Sequence, residues 1–295
     1  MTTTVGQLAT NTPNEVAEVA KPRRYHVNAR LVGGGIGVAA LIAASFIGPH
    51  LISYGPLAQQ LTRTLEGPSA SHLLGTDFLG RDLLSRLLYG LRPSFVAGLG
   101  AVAFASCVGT ILGLVAGAFG GVADVVIGRF TELIISWPSI FLALALVLVL
   151  GTGEPQVVLA IGVAQVPVFT RLVRSITLTN MSRQHVQAAR SMGASTVRII
   201  RRHIVPFAVA PLVVQFALSA PDAVTMEAAL NYLGLGTQPP NPSLGAILSD
   251  AQNYIYQSIW GVIFPIVVIA LLVLSLTFTA DGVQEMVDPR EVRSA

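Results

Sequence analysis

The chain has 295 residues, of which 53% are hydrophobic and only 11% are charged, and its formal net charge is +3. A soluble domain of this length carries about a quarter charged residues, so the composition excludes a protein whose surface lies mainly in water. The single cysteine, Cys107, excludes an intramolecular disulfide. We expect it to be a small core residue.

The apolar residues form long runs. A helix that spans a bilayer needs about 20 mostly apolar residues, and the sequence contains six such runs. They cover roughly residues 31–54, 95–119, 125–150, 156–178, 204–230 and 259–280. The runs do not alternate polar and apolar residues as barrel strands must. The sequence therefore predicts an all-α polytopic membrane protein with six transmembrane helices, of which the fourth is interrupted by Gln165 and Pro167.

The basic residues predict the orientation in the membrane. They cluster before the first run, between the fourth and fifth, and after the sixth. These residues are Lys21, Arg23, Arg24, Arg30, Arg171, Arg174, Arg183, Arg190, Arg198, Arg201, Arg202, Arg290 and Arg293. Short basic loops remain in the cytoplasm, which predicts cytoplasmic termini. The segment between the first and second runs is an exception, since it carries four arginines, namely Arg63, Arg81, Arg86 and Arg92.

These runs divide the chain into consecutive parts. A cytoplasmic tail, 1–30, precedes the first helix, 31–54, and an extracytoplasmic segment, 55–91, follows it. A core of five helices, 92–281, contains a basic cytoplasmic loop at 179–206. A cytoplasmic tail, 282–295, ends the chain. The opening residues are polar and lack the apolar centre of a cleavable signal peptide.

The extracytoplasmic segment ends in a predicted amphipathic helix. Its apolar residues follow helical spacing, and its polar residues lie largely on another face. The apolar residues are Leu83, Leu84, Leu87, Leu88 and Leu91, and the polar ones are Arg81, Asp82, Ser85 and Arg86. Such a helix either lies at the membrane surface or packs against a neighbouring loop.

The basic loop has the pattern of two short helices. Gly193 is suited to a left-handed C-terminal cap of the first. Ser195 is suited to cap the second, which should end at Pro206. The loop either inserts into a partner protein or only sets the topology. A DNA-binding helix–turn–helix is disfavoured because the membrane tethers both ends.

The sequence offers no sign of catalysis by this chain. Its only lysine, Lys21, follows Ala20, so the Gly-Lys-Ser/Thr ending of a P-loop is missing. No two histidines have the one-turn spacing of a helical zinc site. We therefore expect no cofactor, no metal and no catalytic residue here.

Five polar residues in or near the apolar runs are candidates for a translocation path, because ionisable groups in a membrane are costly. They are Asp222, Glu227, Gln215, Gln165 and Glu132. The carboxylates would attract the ammonium group of a peptide. The alternative is a structural role, such as a hydrogen bond between helices or an Arg129–Glu132 ion pair.

Three stretches resemble one family. Gln187-Ala188-Ala189, three residues and Gly193 resemble the EAA loop of ABC importer membrane subunits, with glutamine where the motif has glutamate. Residues 72–90, HLLGTDFLGRDLLSRLLYG, resemble the GTDxLGRDxxSRxxxG segment of dipeptide, oligopeptide and nickel permeases. Residues 227–240, EAALNYLGLGTQPP, resemble the EAALSFLGLGxxPP segment of the same group, and 281–290 resemble its usual ending.

This resemblance implies a type I ABC importer permease in the bacterial plasma membrane, most similar to the C-type peptide subunit. The implied partners are a B-type permease subunit, one or two cytoplasmic subunits that bind ATP and Mg, an extracytoplasmic binding protein, a peptide and lipid, but no nucleic acid. The implied contacts of the loop with the ATPase are Gln187, Ala188, Ala189, Met192, Gly193, Ala194 and Arg198. Alternatives are an importer of nickel or another small solute, and an ion-coupled transporter, which the lack of an internal repeat disfavours.

Overall fold

The computed structural model describes residues 28–287. Within that range it contains ten α-helices and no β-strand, as the sequence predicts. The helices are α1 Ala29–Leu51, α2 Leu83–Phe119, α3 Gly121–Ile135, α4 Ser139–Leu150, α5 Glu154–Met181, α6 Gln184–Ser191, α7 Thr196–Ile199, α8 Val205–Tyr232, α9 Leu244–Gln252 and α10 Trp260–Val287. A π-helical turn, Ile200–Ile204, joins α7 to α8. Most of the predicted N-terminal tail and the end of the C-terminal tail lie outside the described residues, whereas residues 282–287 continue α10.

Five helices in the described part of the chain are long and apolar enough to cross a membrane. They are α1, α2, α5, the continuous stretch Thr196–Tyr232 and α10. The expected third span is instead a bent pair, in which α3 and α4 meet at 96°. Pro138 lacks the N–H that would continue α3, and a proline disfavours helical backbone at the residue before it. Residues 28–287 therefore contain six candidate crossings when the bent pair counts as one.

The most extensive helix–helix contact in the described residues is that of α2 with α5. Gly109, Gly113 and Gly117 are four residues apart and so lie on one face of α2. A Cβ atom added at Gly113 would lie 2.7 Å from the backbone oxygen of Thr170 and 2.7 Å from the Cβ of Val173. Only glycine permits this approach of the two backbones, which is the usual way that small residues bring membrane helices together.

The order of these contacts gives the direction of the helices. Gly109 faces Phe169 and Gly117 faces Thr177, so the two sequences advance together and α2 is parallel to α5. Two parallel spans need an odd number of crossings between them. The bent pair α3–α4 supplies that crossing despite its break. Cys107 lies two residues from Gly109, about 200° around the helix, and is exposed, contrary to the expected core position.

The two ends of the described chain meet on one side. α1 packs antiparallel to α10, with Gly34 against Thr279 and Gly37 against Ser275. At the end of this pair, Arg30 forms an ion pair with Glu285. Residues 28–30 and 285–287 therefore lie at the same end of the bundle.

The predicted amphipathic helix is the first part of α2. This helix continues without a break across the predicted boundary between the extracytoplasmic segment, 55–91, and the core, 92–281. Asp82 caps α2, because its Oδ1 accepts a 2.8 Å hydrogen bond from the backbone N–H of Ser85. The polar side chains are buried as deeply as the apolar ones: Arg86 is 3% exposed and Leu87 is 2% exposed. Of the two alternatives, the structure therefore has the helix packed on neighbouring segments.

The α2–α5 contact gives a testable prediction. Gly113→Ala is expected to lower the thermal unfolding midpoint of the purified assembly, since overpacking typically costs about 1–3 kcal/mol. The matched control is Gly128→Ala in α3, where an added Cβ would have no atom within 4 Å. That control is expected to leave the midpoint unchanged or to raise it, because alanine favours helix over glycine. Equal midpoints for the two variants would contradict the close α2–α5 approach.

Candidate functional site

The predicted coupling loop, residues 179–206, begins in the last turn of α5, and α6 and a glycine turn follow. Gly193 has φ +82°, the left-handed conformation expected from the sequence. The N–H of Ala194 donates to the oxygen of Ala189 at 3.0 Å, and the N–H of Gly193 donates to the oxygen of Arg190 at 3.0 Å. These two bonds form a Schellman motif, which satisfies carbonyl groups left free at the end of a helix.

The second half of the loop differs from the prediction at its end. Ser195 caps α7 as expected, with Oγ accepting from the N–H of Arg198 at 3.4 Å. The helix does not stop at Pro206, however, but continues through the π-helical turn into α8. Within that turn the N–H of Val205 donates to the oxygen of Ile200, five residues back. The wider turn accommodates a proline because the ring no longer meets the carbonyl that an α-helix would place against it.

A small hydrophobic cluster fastens the coupling loop to the bundle. Val186, Ile199 and Ile204 are each 1% exposed or less, and they pack against Leu114 of α2 and Met181 of α5. The loop is thus attached to both helices of the glycine contact. Burying three branched side chains stabilises this attachment by several kcal/mol at about 1.5–3 kcal/mol each.

Gln187 adds a polar attachment that its glutamate counterpart could not make. Its Nε2 donates a 3.1 Å hydrogen bond to the backbone oxygen of Met181, in the last turn of α5. A glutamate carboxylate at neutral pH has no proton to donate. The departure from the EAA motif therefore coincides with a hydrogen bond inside this chain.

On the outer surface of the loop, Met192 protrudes beside the small residues Ala188, Ala189, Gly193 and Ala194. Met192 is 82% exposed. The remaining predicted contact residues are exposed or half-buried: Gln187, Ala188, Ala189, Gly193, Ala194 and Arg198. Small side chains beside a flexible methionine suit insertion into a partner's cleft, since methionine adapts to irregular apolar surfaces.

A second candidate site is a cavity of about 490 Å³ between α5 and α8, closed in part by the first two residues of α4. Three of the five predicted path residues line it, namely Gln165, Gln215 and Asp222. Nε2 of Gln215 donates to Oγ of Ser219 at 3.1 Å. Oε1 of Gln165 is buried without a hydrogen-bond partner in the described residues. Asp222 is exposed and is the one charged residue that lines the cavity among those described.

Sequence reasoning missed three polar residues that also line this cavity, namely Ser139, Ser219 and Thr225. Their spacing in the sequence could have identified Ser219 as a lining residue, because Gln215, Ser219 and Asp222 follow one face of α8 at intervals of four and three residues.

The other two predicted path residues lie elsewhere. Glu227 is 1% exposed and accepts a hydrogen bond from the side chain of Asn231. Oδ1 of Asn231 in turn accepts from the N–H of Thr237 at 2.7 Å, which fixes the turn after α8. Glu132 is on the surface of α3, paired with Arg129 at 3.0 Å, which is the ion pair considered from the sequence.

The segment before α2 and the start of α2 form a buried ionic cluster. Asp77 accepts from Arg81 at 2.6 Å and also binds Arg86. Asp250 of α9 lies 3.5 Å from the same Arg86. This cluster joins the start of α2 to α9. In residues 28–287 no group of three potential metal ligands is present.

A known protein family matches the part of the chain that contains both the coupling loop and the cavity. A family model described as "Binding-protein-dependent transport system inner membrane component" matches residues 109–293, which include the coupling loop and the cavity. The chain belongs to this family. It is therefore a membrane subunit of an ABC importer and not an enzyme, and the resemblance read from the sequence is confirmed.

Relatives of this importer family align along most of the chain. The dipeptide transport system permease protein DppC of Alkalihalophilus pseudofirmus is 38% identical, over 89% of this chain and 86% of the relative. The glutathione transport system permease protein GsiD of Pectobacterium atrosepticum is 39% identical, over 90% of this chain and 88% of the relative. The chain also resembles a subunit of the inward-facing MetNI methionine ABC transporter, with TM-score 0.54, 20% identity, and 68% of this chain and 96% of that one covered. This last likeness shows the type I importer fold.

Proposed function

We propose that this subunit passes dipeptides or oligopeptides inward across the bacterial plasma membrane, driven by ATPase subunits that dock on the coupling loop. The names of the relatives, permeases for dipeptides and glutathione, support the substrate class. The observation that carries the proposal is that the loop and the polar cavity are built on the same two helices. α5 and α8 flank the loop in the sequence, and the cavity lies between them.

This arrangement supports a direct mechanical connection. The loop is fastened to α5 by Gln187 and by the cluster around Val186, and it continues into α8 without a break. An ATPase that displaces the loop would move both helices as one body, a common form of switching. ATP binding would favour the outward-open arrangement, and hydrolysis would release it. Such a shift requires that ATP bind the two arrangements with different affinities.

The proposed assembly contains further subunits. A B-type permease would provide the other wall of the path, since the cavity is open on one side. One or two cytoplasmic subunits would bind ATP and Mg, and an extracytoplasmic binding protein would deliver the peptide. No cofactor is assigned to this chain.

The proposed orientation has the coupling loop and both ends of the described chain in the cytoplasm. Two spans, α8 and α10, lie between the loop and residues 285–287. The loop is therefore at the same end of the bundle as those residues and as residues 28–30. The loop carries Arg183, Arg190 and Arg198, together with two further arginines in the π-helical turn. Basic residues in a short loop favour the cytoplasmic side.

Within the cavity, the proposed role of Asp222 is to attract the ammonium group of a peptide. It is the single ionisable residue among the described residues that line the cavity, whereas Gln165 and Gln215 offer amide groups suited to peptide bonds. A carboxylate and an ammonium form a charge-assisted hydrogen bond, which is about twice as strong as a neutral one.

The docking role of the loop is tested at Gly193. Valine is strained at φ +82°, at a cost of about 1–2 kcal/mol, although an added Cβ would meet no atom within 4 Å. Gly193→Val is therefore expected to impair both peptide uptake and co-purification of the ATPase subunits. Gly193→Asn is the matched control, because asparagine tolerates this backbone conformation.

The two variants at Gly193 separate the alternatives for the loop. Normal uptake and ATPase retention in Gly193→Val would leave it with only a topological role. Equal impairment in Gly193→Asn would assign the effect to side-chain size at the docking surface instead of backbone conformation.

The role of Asp222 is tested in proteoliposomes that contain the whole assembly and its loaded binding protein. Asp222→Asn is expected to lower dipeptide uptake about tenfold or more, by loss of a charged hydrogen bond, while ATPase stimulation by the binding protein persists. Asp222→Glu should restore part of the uptake. Glu132→Gln, on the surface of α3, should transport normally. Unchanged uptake in Asp222→Asn would remove this residue from the path.

A further inference from the structure

Three of the four arginines between α1 and the apolar part of α2 are neutralised by carboxylates. Arg63 forms a 2.7 Å ion pair with Glu66, and this hydrogen bond lowers the pKa of the Glu66 carboxyl below its ordinary value. Arg81 and Arg86 share two carboxylates, those of Asp77 and Asp250. These pairs explain how a predicted extracytoplasmic segment carries so many arginines with little excess charge.

Arg92 is different, because in residues 28–287 it forms no ion pair. Its Nε donates a 2.9 Å hydrogen bond to the backbone oxygen of Ser45 in α1. That oxygen is free because Pro49, four residues later, has no N–H to donate to it. The guanidinium carbon lies 5.0 Å from the ring centre of Phe46 and 4.7 Å from that of Tyr89. The terminal nitrogens, Nη1 and Nη2, have no protein acceptor in the described chain.

An apolar groove begins beside this guanidinium. It lies between α1 and α2 and has a volume of about 270 Å³. Its wall is almost entirely apolar except at Arg92, and Val96 on its rim is 61% exposed. The residues that line it are Ile42, Phe46, Arg92, Phe95, Val96 and Leu99.

The position along the helices places the charge at the edge of the membrane. Arg92 precedes the long apolar run of α2, which starts at Phe95, and Ser45 lies in the second-last turn of α1. We therefore expect an arginine at this depth to face the headgroup region and the groove to face the acyl chains. The groove and the cation therefore match the two ends of one lipid molecule.

We propose that the α1–α2 groove binds one phospholipid, whose acyl chain fills the groove and whose phosphate accepts hydrogen bonds from Nη1 and Nη2 of Arg92. A guanidinium presents its N–H groups in a fork that fits two phosphate oxygens. The bond from Nε to Ser45 and the two aromatic rings hold the guanidinium in place, so it loses little freedom on binding. Capping the Ser45 carbonyl uses Nε alone and leaves the other N–H groups for the lipid.

The experiment uses the purified assembly, stripped of lipid in detergent, and measures phosphatidylglycerol binding by native mass spectrometry. Arg92→Gln removes the charge but keeps a donor for the Ser45 carbonyl. Val96→Trp fills the groove and keeps the arginine. Both are expected to weaken binding at one site about tenfold, as expected for loss of a charged hydrogen bond or of buried apolar contact. The matched control is Arg129→Gln, whose arginine is on the exposed face of α3, and it should bind as the unaltered assembly does.

Further measurements distinguish a phospholipid from other possible occupants of the groove. Diacylglycerol, which lacks the phosphate, should bind about tenfold more weakly than phosphatidylglycerol, and millimolar inorganic phosphate should not displace the lipid. Equal binding of the two lipids, displacement by inorganic phosphate, or unchanged binding in both Arg92→Gln and Val96→Trp would overturn the proposal. So would a disulfide between Val96→Cys and a cysteine scanned through the partner permease, since a protein helix would then occupy the groove.

Discussion

The close approach of α2 and α5 is the contact on which the other features depend. Gly109, Gly113 and Gly117 let the two backbones lie closer than any side chain would permit. Membrane helices gain little from hydrophobic burial against each other, so close packing must supply the stability. This one pair also fixes the parallel direction of α5, which requires the bent α3–α4 pair to cross back between them. It further brings Leu114 of α2 beside the end of α5, where the coupling loop is attached.

Because α5 carries Gln165 in its middle and the coupling loop at its end, the two candidate sites belong to one helix. α8 also connects the two sites: the loop joins its start through the π-helical turn, and Asp222 of the cavity lies further along the same helix. The proposed mechanism follows from this geometry: a displacement of the loop has two continuous helices along which to reach the cavity. The unusual turn lies where the loop becomes α8, and π-helical turns occur frequently at functional sites.

The sequence predicted the features that depend on local chemistry. Runs of apolar residues predicted the spans, and Gly193 and Ser195 predicted the cap geometry of the loop, because both are decided by neighbours in the chain. Two wrong predictions have local causes, namely the break of the third span at Pro138 and the helix that continues past Pro206. The others involve distant partners. The burial of Arg86 depends on α9, and the exposure of Cys107 depends on which face of α2 meets α5. The glycines of α2 have a recognisable spacing, but the helix that they face is not encoded near them. The sequence also shows that Gln187 differs from the family motif. It does not show that the side chain donates a hydrogen bond to the Met181 carbonyl, because that contact depends on how the loop folds.

The central claim is that the coupling loop faces the cytoplasm and the far end of the bundle faces outward. Site-directed labelling tests it most directly, in the assembled transporter with Cys107→Ala. Ser182 and Gln257 are both exposed and lie on opposite sides of the bundle, since α8 separates them by one span. Ser182→Cys is expected to react with a membrane-impermeant maleimide only in inside-out vesicles, and Gln257→Cys only in spheroplasts. The reverse pattern would place the loop outside the cell, where no ATP-driven subunit could dock, and would contradict the account.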